Sequence, residues 1–383
     1  MFTEPMTESR ETETLQVWLN QSKLQNREVP PDSKQRFQAP DWWVRLVNYE
    51  YWPFWLFYLP MVPVWLWQSI RNRSLTWFTA TNQNIEYGGF FGESKMGILN
   101  QIPSEYKAAC VSIHPSISEE VLHQILDNEK LSFPMVAKPN VGERGNQVAK
   151  LESFEQLRQY HAAADGPYIL QPFITEPVEL GVLFVRLPGE KTGNVTSVTG
   201  KEFMTVTGDG RSTVEQLMAK NPRFRFQIPA VKKRLGDDIR AVPLKGQNVL
   251  LEPIGNHCRG TRFINRNDLI CDELNQVFNH ITKDMDGFYF GRFDLKVRSE
   301  NDLFKGRHIF ILELNGASSE PGHVYDQKTG LIQAYKDLIW HWNALGEIAR
   351  RNQKAGIQPA SASEIVTLIR QHFTNTSSKQ NHE

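Results

Sequence analysis

The sequence predicts an α+β chain: an enzyme-like domain of alternating strands and helices, preceded by an aromatic apolar segment. Three observations lead there. From about residue 88, short apolar runs of strand type alternate with stretches of helical spacing. Near the C-terminal end, two strand-like runs, GRFDLKV (291–297) and FILELNG (310–316), carry acids on what reads as one hairpin face. Before all of this, residues 41–77 hold a dense cluster of Trp, Tyr and Phe unlike the rest of the chain.

The bulk numbers bound the reading. With 383 residues the chain is long enough for more than one domain and a sizeable core. Lys+Arg and Asp+Glu are both 43, so no basic excess points to nucleic acid and none is expected as a partner. Three cysteines, Cys110, Cys258 and Cys271, lack metal-ligand spacing and fit a reducing compartment.

Taken in order, residues 1–40 are polar and read as a disordered or loosely docked arm. Residues 41–77 read as a membrane-associating segment. Within them YWPFWLFYLPMVPVWLWQSI (51–70) carries no charge. Its length is about what a helix needs to cross a bilayer. Aromatics crowd both ends, and Arg71 and Arg73 follow, which would place the C-terminal side in the cytoplasm. Pro60 and Pro63 interrupt any such helix, so three expectations stay open: a kinked span, insertion at the interface, or an aromatic surface packed on protein.

From 88 to 345 the chain reads as one two-part domain, 88–172 and 173–345, with a C-terminal helix and polar tail over 346–383. Expected strands are Ala108–Ile113, FPMVAKP (133–139), VAKL (148–151), YILQPFI (168–174), Glu179–Leu187, segments within Val195–Val206, and VLLEPI (249–254). Expected helices are Ser118–Asn128, Ser153–Ala164, one capped by Ser212 or Thr213, Leu269–Met285 and Leu331–Ile348. Residues 221–248 read as basic and irregular. SASE (361–364) resembles a capping box before a last short helix.

The acidic hairpin carries the chemistry. A turn near Leu303 and Phe304 sets Asp294 opposite Glu313, with Asn315 two residues on along the same face. Phe310, Leu312 and Leu314 would form the opposite, apolar face. Two carboxylates and an amide side by side suit a hard cation, and magnesium needs only one or two carboxylates besides phosphate oxygens. Lys138 ends an apolar strand directly before a loop with Gly142 and Gly145, where an ammonium and backbone N–H groups can meet a phosphate. Lys95, in GESK, is a second such cation. The loop matches neither the dinucleotide fingerprint nor the P-loop.

In combination FPMVAKPNVGERG, YILQPFI with Glu179, GRFDLKV and ILELNGASSEPG resemble the ATP-grasp superfamily of carboxylate–amine ligases. VTGDGRSTVEQLM with GNHCRGTRF is similar to a segment of cyanophycin synthetase and related amide ligases. GRFD, ELN and SEPGH are similar to the D-alanine–D-alanine ligase pattern. The resemblance implies a fold of two α+β subdomains gripping ATP. It implies that Lys95 and Lys138 hold the phosphates under the 142–145 loop. Gln171, Pro172, Phe173 and Ile174 would meet adenine, and Glu179 the ribose hydroxyls. Asp294, Glu313 and Asn315 would bind Mg2+ (one or two ions, or Mn2+), and Arg292 would join Lys138 in catalysis by contacting the transferred phosphoryl group.

The implied reaction is ATP-dependent joining of a carboxylate to an amine through an acyl-phosphate, on the cytoplasmic face of a membrane. ATP and a small carboxylate and amine are then the partners, together with the membrane surface. Arg211 and Arg259 are candidates for an acidic substrate group. His257 and His323 are expected to be no nucleophiles, and His323 to be structural. Competing readings are a phosphotransferase acting on a hydroxyl, a catalytically silent membrane-tethered nucleotide-binding module, and a membrane interaction protein. The sequence leaves the acid, the amine and the oligomeric state open.

Overall fold

A computed structural model of the chain describes residues 13–14, 40–142, 147–252, 255 and 260–370. Most of the 1–40 arm, Gly145, His257, Cys258, Arg259 and the tail beyond 370 lie outside the described residues. In chain order the strands are β1 (Glu13–Thr14), β2 (Val111–Ile113), β3 (Met135–Pro139), β4 (Ala149–Leu151), β5 (Tyr168–Pro172), β6 (Val178–Val185), β7 (Asn194–Glu202), β8 (Thr205–Thr207), β9 (Asn248–Leu250), β10 (Arg262–Asn265), β11 (Phe290–Val297) and β12 (Ile309–Asn315). The α-helices are α1 (Asp41–Val47), α2 (Phe54–Tyr58), α3 (Val62–Asn72), α4 (Lys95–Leu99), α5 (Glu119–Asn128), α6 (Phe154–Ala163), α7 (Val214–Ala219), α8 (Pro222–Arg225), α9 (Ile228–Leu235), α10 (Asp272–Ile281), α11 (Glu300–Phe304) and α12 (Leu331–Lys354). A last helix covers 362–370, opened by reciprocal bonds between Ser361 and Glu364.

Contacts group the chain into two units: Met1–Trp52 with Lys201–Phe263, and Pro53–Gly200 with Ile264–Glu383. These boundaries do not coincide with divisions at 40, 77 and 172, because 201–263 encloses a core of its own. In that smaller unit β9 pairs antiparallel with β8 and parallel with β1. Met204, Val206, Val214, Met218, Val231 and Val249 pack together beside them. Thr213 and Gln216 form a full capping box at α7. The expectation of irregular chain over 221–248 is corrected: Asn221 caps α8, Pro222 sits in its first turn, and α9 follows. The buried Val231 and Ile239 were too few to mark a period among so many basic residues. The expected strand at 249–254 is only β9, ending at Leu250.

The larger unit holds a five-stranded sheet, order β10-β7-β6-β11-β12, and a four-stranded sheet, order β2-β5-β3-β4. Phe184, Val182, Phe293 and Leu295 point to one face of the larger sheet and pack on Leu274, Phe278 and Ile281 of α10. On the other face Leu183, Val185 and Phe290 meet Leu345, Ile348 and Ala349 of α12. Farther along that second face the side chains turn polar: Arg292, Asp294 and Lys296 on β11, Glu179 on β6. The smaller sheet packs Met135, Ala137 and Leu170 on Leu122 and Leu157 of α5 and α6. β2 begins at Val111 rather than Ala108, α10 is shorter than Leu269–Met285, and α12 runs past Ile348 to Lys354.

The aromatic segment is broken into α2, a 3₁₀ turn (Leu59–Met61) and α3, with Pro60 and Pro63 in the first turns of the last two. Among the described residues no helix is long and apolar enough to cross a membrane. Each proline lacks the N–H an uninterrupted helix needs, so it starts a new piece instead. α3 is inverted in polarity. Gln68, Ser69 and Asn72 are buried, while Val62, Leu66, Trp67 and Ile70 face outward, Ile70 at 71% exposure. Gln68 reaches Asn343 of α12 at 2.6 Å.

Candidate active site

β11 and β12 pair in the register expected from the alternation: Asp294 opposite Glu313, and Arg292 opposite Asn315. The connection is not a plain loop, since α11 lies within it, capped by Ser299. The register shifts after Asp294, so that Leu295 faces Ile311 and Leu312 is the extra residue of a β-bulge. The bulge corrects the expected apolar face: Ile309, Ile311 and Leu314 are buried, whereas Phe310 and Leu312 are only half-buried.

The bulge also positions a cation. The Leu312 carbonyl accepts from Lys138 Nζ at 2.8 Å. Lys138 is 6% exposed and comes from the smaller sheet, on the β3 face opposite the buried Met135 and Ala137. Burial lowers its pKa below the ordinary lysine value; Lys95 pushes the same way and Glu313 opposes. Lys95 opens α4 behind Ser94, whose hydroxyl caps the helix by accepting from Gly97 N–H. Its ammonium donates to the Gly142 carbonyl and lies 3.9 Å from Glu313 Oε1. The Asn140 side chain accepts from Met96 N–H at 2.9 Å, tying α4 to the start of the glycine loop.

Arg292 lies over Gly181, where a Cβ would sit 3.2 Å from its Cδ and 3.1 Å from Asp294 Oδ1. It donates from Nε and Nη2 to the two Asp294 oxygens, each at 3.2 Å, and from Nη1 to the Glu320 carbonyl at 3.2 Å. Burial opposes its charge, but Asp294, Glu320 and Glu313 more than offset that and hold its pKa above the usual value. Asn315 Nδ2 donates to Asp294 Oδ2 at 3.3 Å.

Asp294, Glu313 and Asn315 are thus neighbours, and each carboxylate already faces a side-chain cation. Among the described residues no group of three or more His, Cys, Asp and Glu is placed to hold a metal. The set still suits magnesium, which takes hard oxygens and completes its shell with phosphate and water. Arg292 and Lys95 mark where positive charge is needed.

The remaining expected residues fall along the same region. Gln171 is buried opposite Val136. Glu179, also buried, stands opposite Lys296 and 3.7 Å from its ammonium. Sequence reasoning passed over Lys296, although the GRFDLKV alternation puts it on the face of Arg292 and Asp294. It donates to the Ile174 carbonyl at 3.0 Å and sits 5.2 Å from the Phe173 ring centroid, with Lys150 at 4.4 Å from the same ring. Arg211 belongs to the smaller unit, where its backbone N–H bonds Asp209 at 2.9 Å. His323 is structural: buried, it joins Ser197 Oγ at 2.7 Å to Asp337 Oδ2 at 3.0 Å.

No protein-family model matches the chain, and no curated protein does either. Among solved structures it is similar to a bifunctional glutathione synthetase from Pasteurella multocida (17% identity, TM-score 0.34, 60% of this chain and 33% of that one). It is similar to the ADP complex of an N5-carboxyaminoimidazole ribonucleotide synthetase (15% identity, TM-score 0.35, 61% and 47%). A D-alanine–D-alanine ligase from Bacillus anthracis is matched at 10% identity and TM-score 0.37 (66% and 68%). The chain spans a third and under half of the first two proteins' lengths.

Proposed function

We propose that this chain is an ATP-grasp ligase that joins a carboxylate to an amine through an acyl-phosphate, working on the cytoplasmic surface of a membrane. One observation carries the reading. Two lysines, one at the end of a buried strand and one at a helix start, converge on an Asp–Glu–Asn hairpin face beside a half-buried arginine. Asp294, Glu313 and Asn315 would hold magnesium, which supplies charge neutralisation at phosphate oxygens. Lys95 and Lys138 bind and orient the phosphates. Arg292, fixed by Asp294, neutralises the phosphoryl group as it moves to the carboxylate oxygen, which leaves a carbonyl that an amine can attack.

Attachment is supported by α3, whose outward Val62, Leu66, Trp67 and Ile70 suit the headgroup–acyl boundary better than water. Exposed Phe54, Trp55 and Leu59 precede them, and Arg71 and Arg73 follow.

The test is a screen of acids and amines for magnesium-dependent ADP and phosphate release, with mass detection of the joined product. Wild type is expected to turn over, and Glu313→Gln to lose at least about a hundredfold in rate while melting normally. Unchanged turnover in E313Q would overturn the site, and a phosphorylated product without amine coupling would favour a phosphotransferase. The chain should sediment with anionic vesicles in high salt, and Leu66→Asp/Ile70→Asp should stay in solution. Equal sedimentation of both would remove the attachment.

A further inference from the structure

The aromatic segment reaches the catalytic face as well as the surface. α2 exposes Phe54 and Trp55 but buries Phe57 and sends Tyr58 inward. The Tyr58 hydroxyl donates to Glu320 Oε1, and Tyr325 donates to Glu320 Oε2 at 2.6 Å. Both carboxylate oxygens of Glu320 are therefore held by phenols. The carbonyl of that same residue accepts from Arg292 Nη1 at 3.2 Å. Tyr58 is itself fixed: its ring lies 6.0 Å from that of Trp342, nearly parallel, and edge-on to Phe57 at 5.3 Å. Phe57 stacks on Tyr335, whose hydroxyl donates to the Phe57 carbonyl at 2.9 Å. Burial and the neighbouring Glu320 raise both phenol pKa values well above the ordinary one, so both remain donors throughout the working range.

The geometry points to Tyr58 as a positioning residue for the phosphoryl-transfer step, acting through Glu320 on the guanidinium of Arg292. This rests on the ligase reading for its kinetics but not for its geometry. Among the described residues Arg292 has three hydrogen-bond anchors: two on Asp294, which would also hold magnesium, and one on the Glu320 backbone. When Asp294 turns to a cation, the Glu320 carbonyl is what remains to aim the arginine. Loosening the carboxylate of Glu320 frees that carbonyl. ATP phosphates, held by Lys95 and Lys138, are not touched by the change.

The experiment uses the full chain with Tyr58→Phe, Tyr325→Phe and, as control, the exposed Trp55→Ala. The Nη1–H resonance of Arg292, the group that meets the Glu320 carbonyl, is assigned by its loss in Arg292→Lys. Its hydrogen exchange is expected to quicken about tenfold in Y58F and in Y325F, from the loss of one charge-assisted bond each, and to stay unchanged in W55A. With turnover in hand, Y58F should lower kcat about tenfold, leave KM for ATP within about twofold, and add no loss to R292K. Exchange as slow as wild type in both phenol variants overturns the proposal, as does a full further loss on adding Y58F to R292K. If wild type turns nothing over, the ligase reading falls, while the exchange rates still decide the clamp. Should Y58F fail to fold, Y325F carries the same exchange test.

Discussion

Lys138 shows how a single residue joins fold to chemistry. Its strand buries it, the Leu312 carbonyl accepts a hydrogen bond from it, and burial lowers its pKa below the ordinary 10.5. The unfolded chain holds that proton more tightly than the folded one. The charged form therefore costs stability at neutral pH, and stability rises with pH as the folded lysine gives up its proton below 10.5. Under the proposed ligase reading ATP binding would move the opposite way, because a neutral amine does not attract phosphate. ATP affinity should therefore fall on the alkaline side at a pH lower than an ordinary lysine would set. Lys138→Met should bind ATP about ten- to a hundredfold more weakly and lack that alkaline step. Calorimetric titration across the range would show both, and an alkaline step that survives in K138M would assign it to another group. Its place at the end of a buried strand was legible in the sequence because a lysine closing an apolar run is conspicuous. Tyr58 was not, since its partner Glu320 lies far along the chain and its own run reads as uniformly apolar.

Elements were legible where one period dominated. The β11–β12 register followed from alternation alone, because a slip by one would have moved Phe293 and Leu295 out of the core. The bulge at Leu312 was hidden, since one extra residue in an apolar strand leaves the composition unchanged. In 221–248 basic side chains masked α8 and α9. The apolar run at 51–70 suggested a long helix, but Pro60 and Pro63 divide it, and its inverted packing depends on a partner. That partner is α12, which approaches α3 at a glycine: a Cβ on Gly346 would lie 2.1 Å from Gln68 Oε1 and 2.5 Å from its Cδ. Gln68 is fully buried and bonded to Asn343, so it has little room to retreat. Gly346→Ala is expected to cost about 1–3 kcal/mol of unfolding free energy by chemical denaturation, despite the better helix propensity of alanine. A neutral or stabilising result would mean that α3 moves away from α12 without loss, and would weaken the case for a rigid platform under the exposed apolar face.

At the scale of the whole molecule, the two units carry acid-sensitive groups of different kinds. In the larger unit His341 lies between β7 and α12, bonded to Thr196 Oγ1 at 3.0 Å and to the Asp337 carbonyl at 2.7 Å. Burial pushes its pKa down from 6.5 to about 4; the bond to Asp337 opposes this and His323 adds to it. The unfolded chain then takes up a proton that the folded unit refuses, so stability falls as pH drops from 6.5 to about 4. The full effect is about 3 kcal/mol if the group titrates alone. In the smaller unit Asp209 shifts in the same direction, but over a lower pH range and through hydrogen bonds rather than burial. Burial raises its pKa, but N–H groups of Ser212 and Arg211, the Ser212 hydroxyl and Lys220 outweigh this and hold it far below the usual 3.8. Its contribution is present above 3.8 and disappears only as pH falls through its lowered value. Acid should therefore weaken the larger unit first and the smaller unit later. Hydrogen exchange followed by mass spectrometry down a pH series would separate them, with α12 and β7 peptides losing protection before those of α7. His341→Gln, which cannot be protonated, should flatten the early loss and leave the late one. Loss of protection in both units at one pH, unaltered by H341Q, would show that carboxylates shared across the chain govern acid unfolding instead.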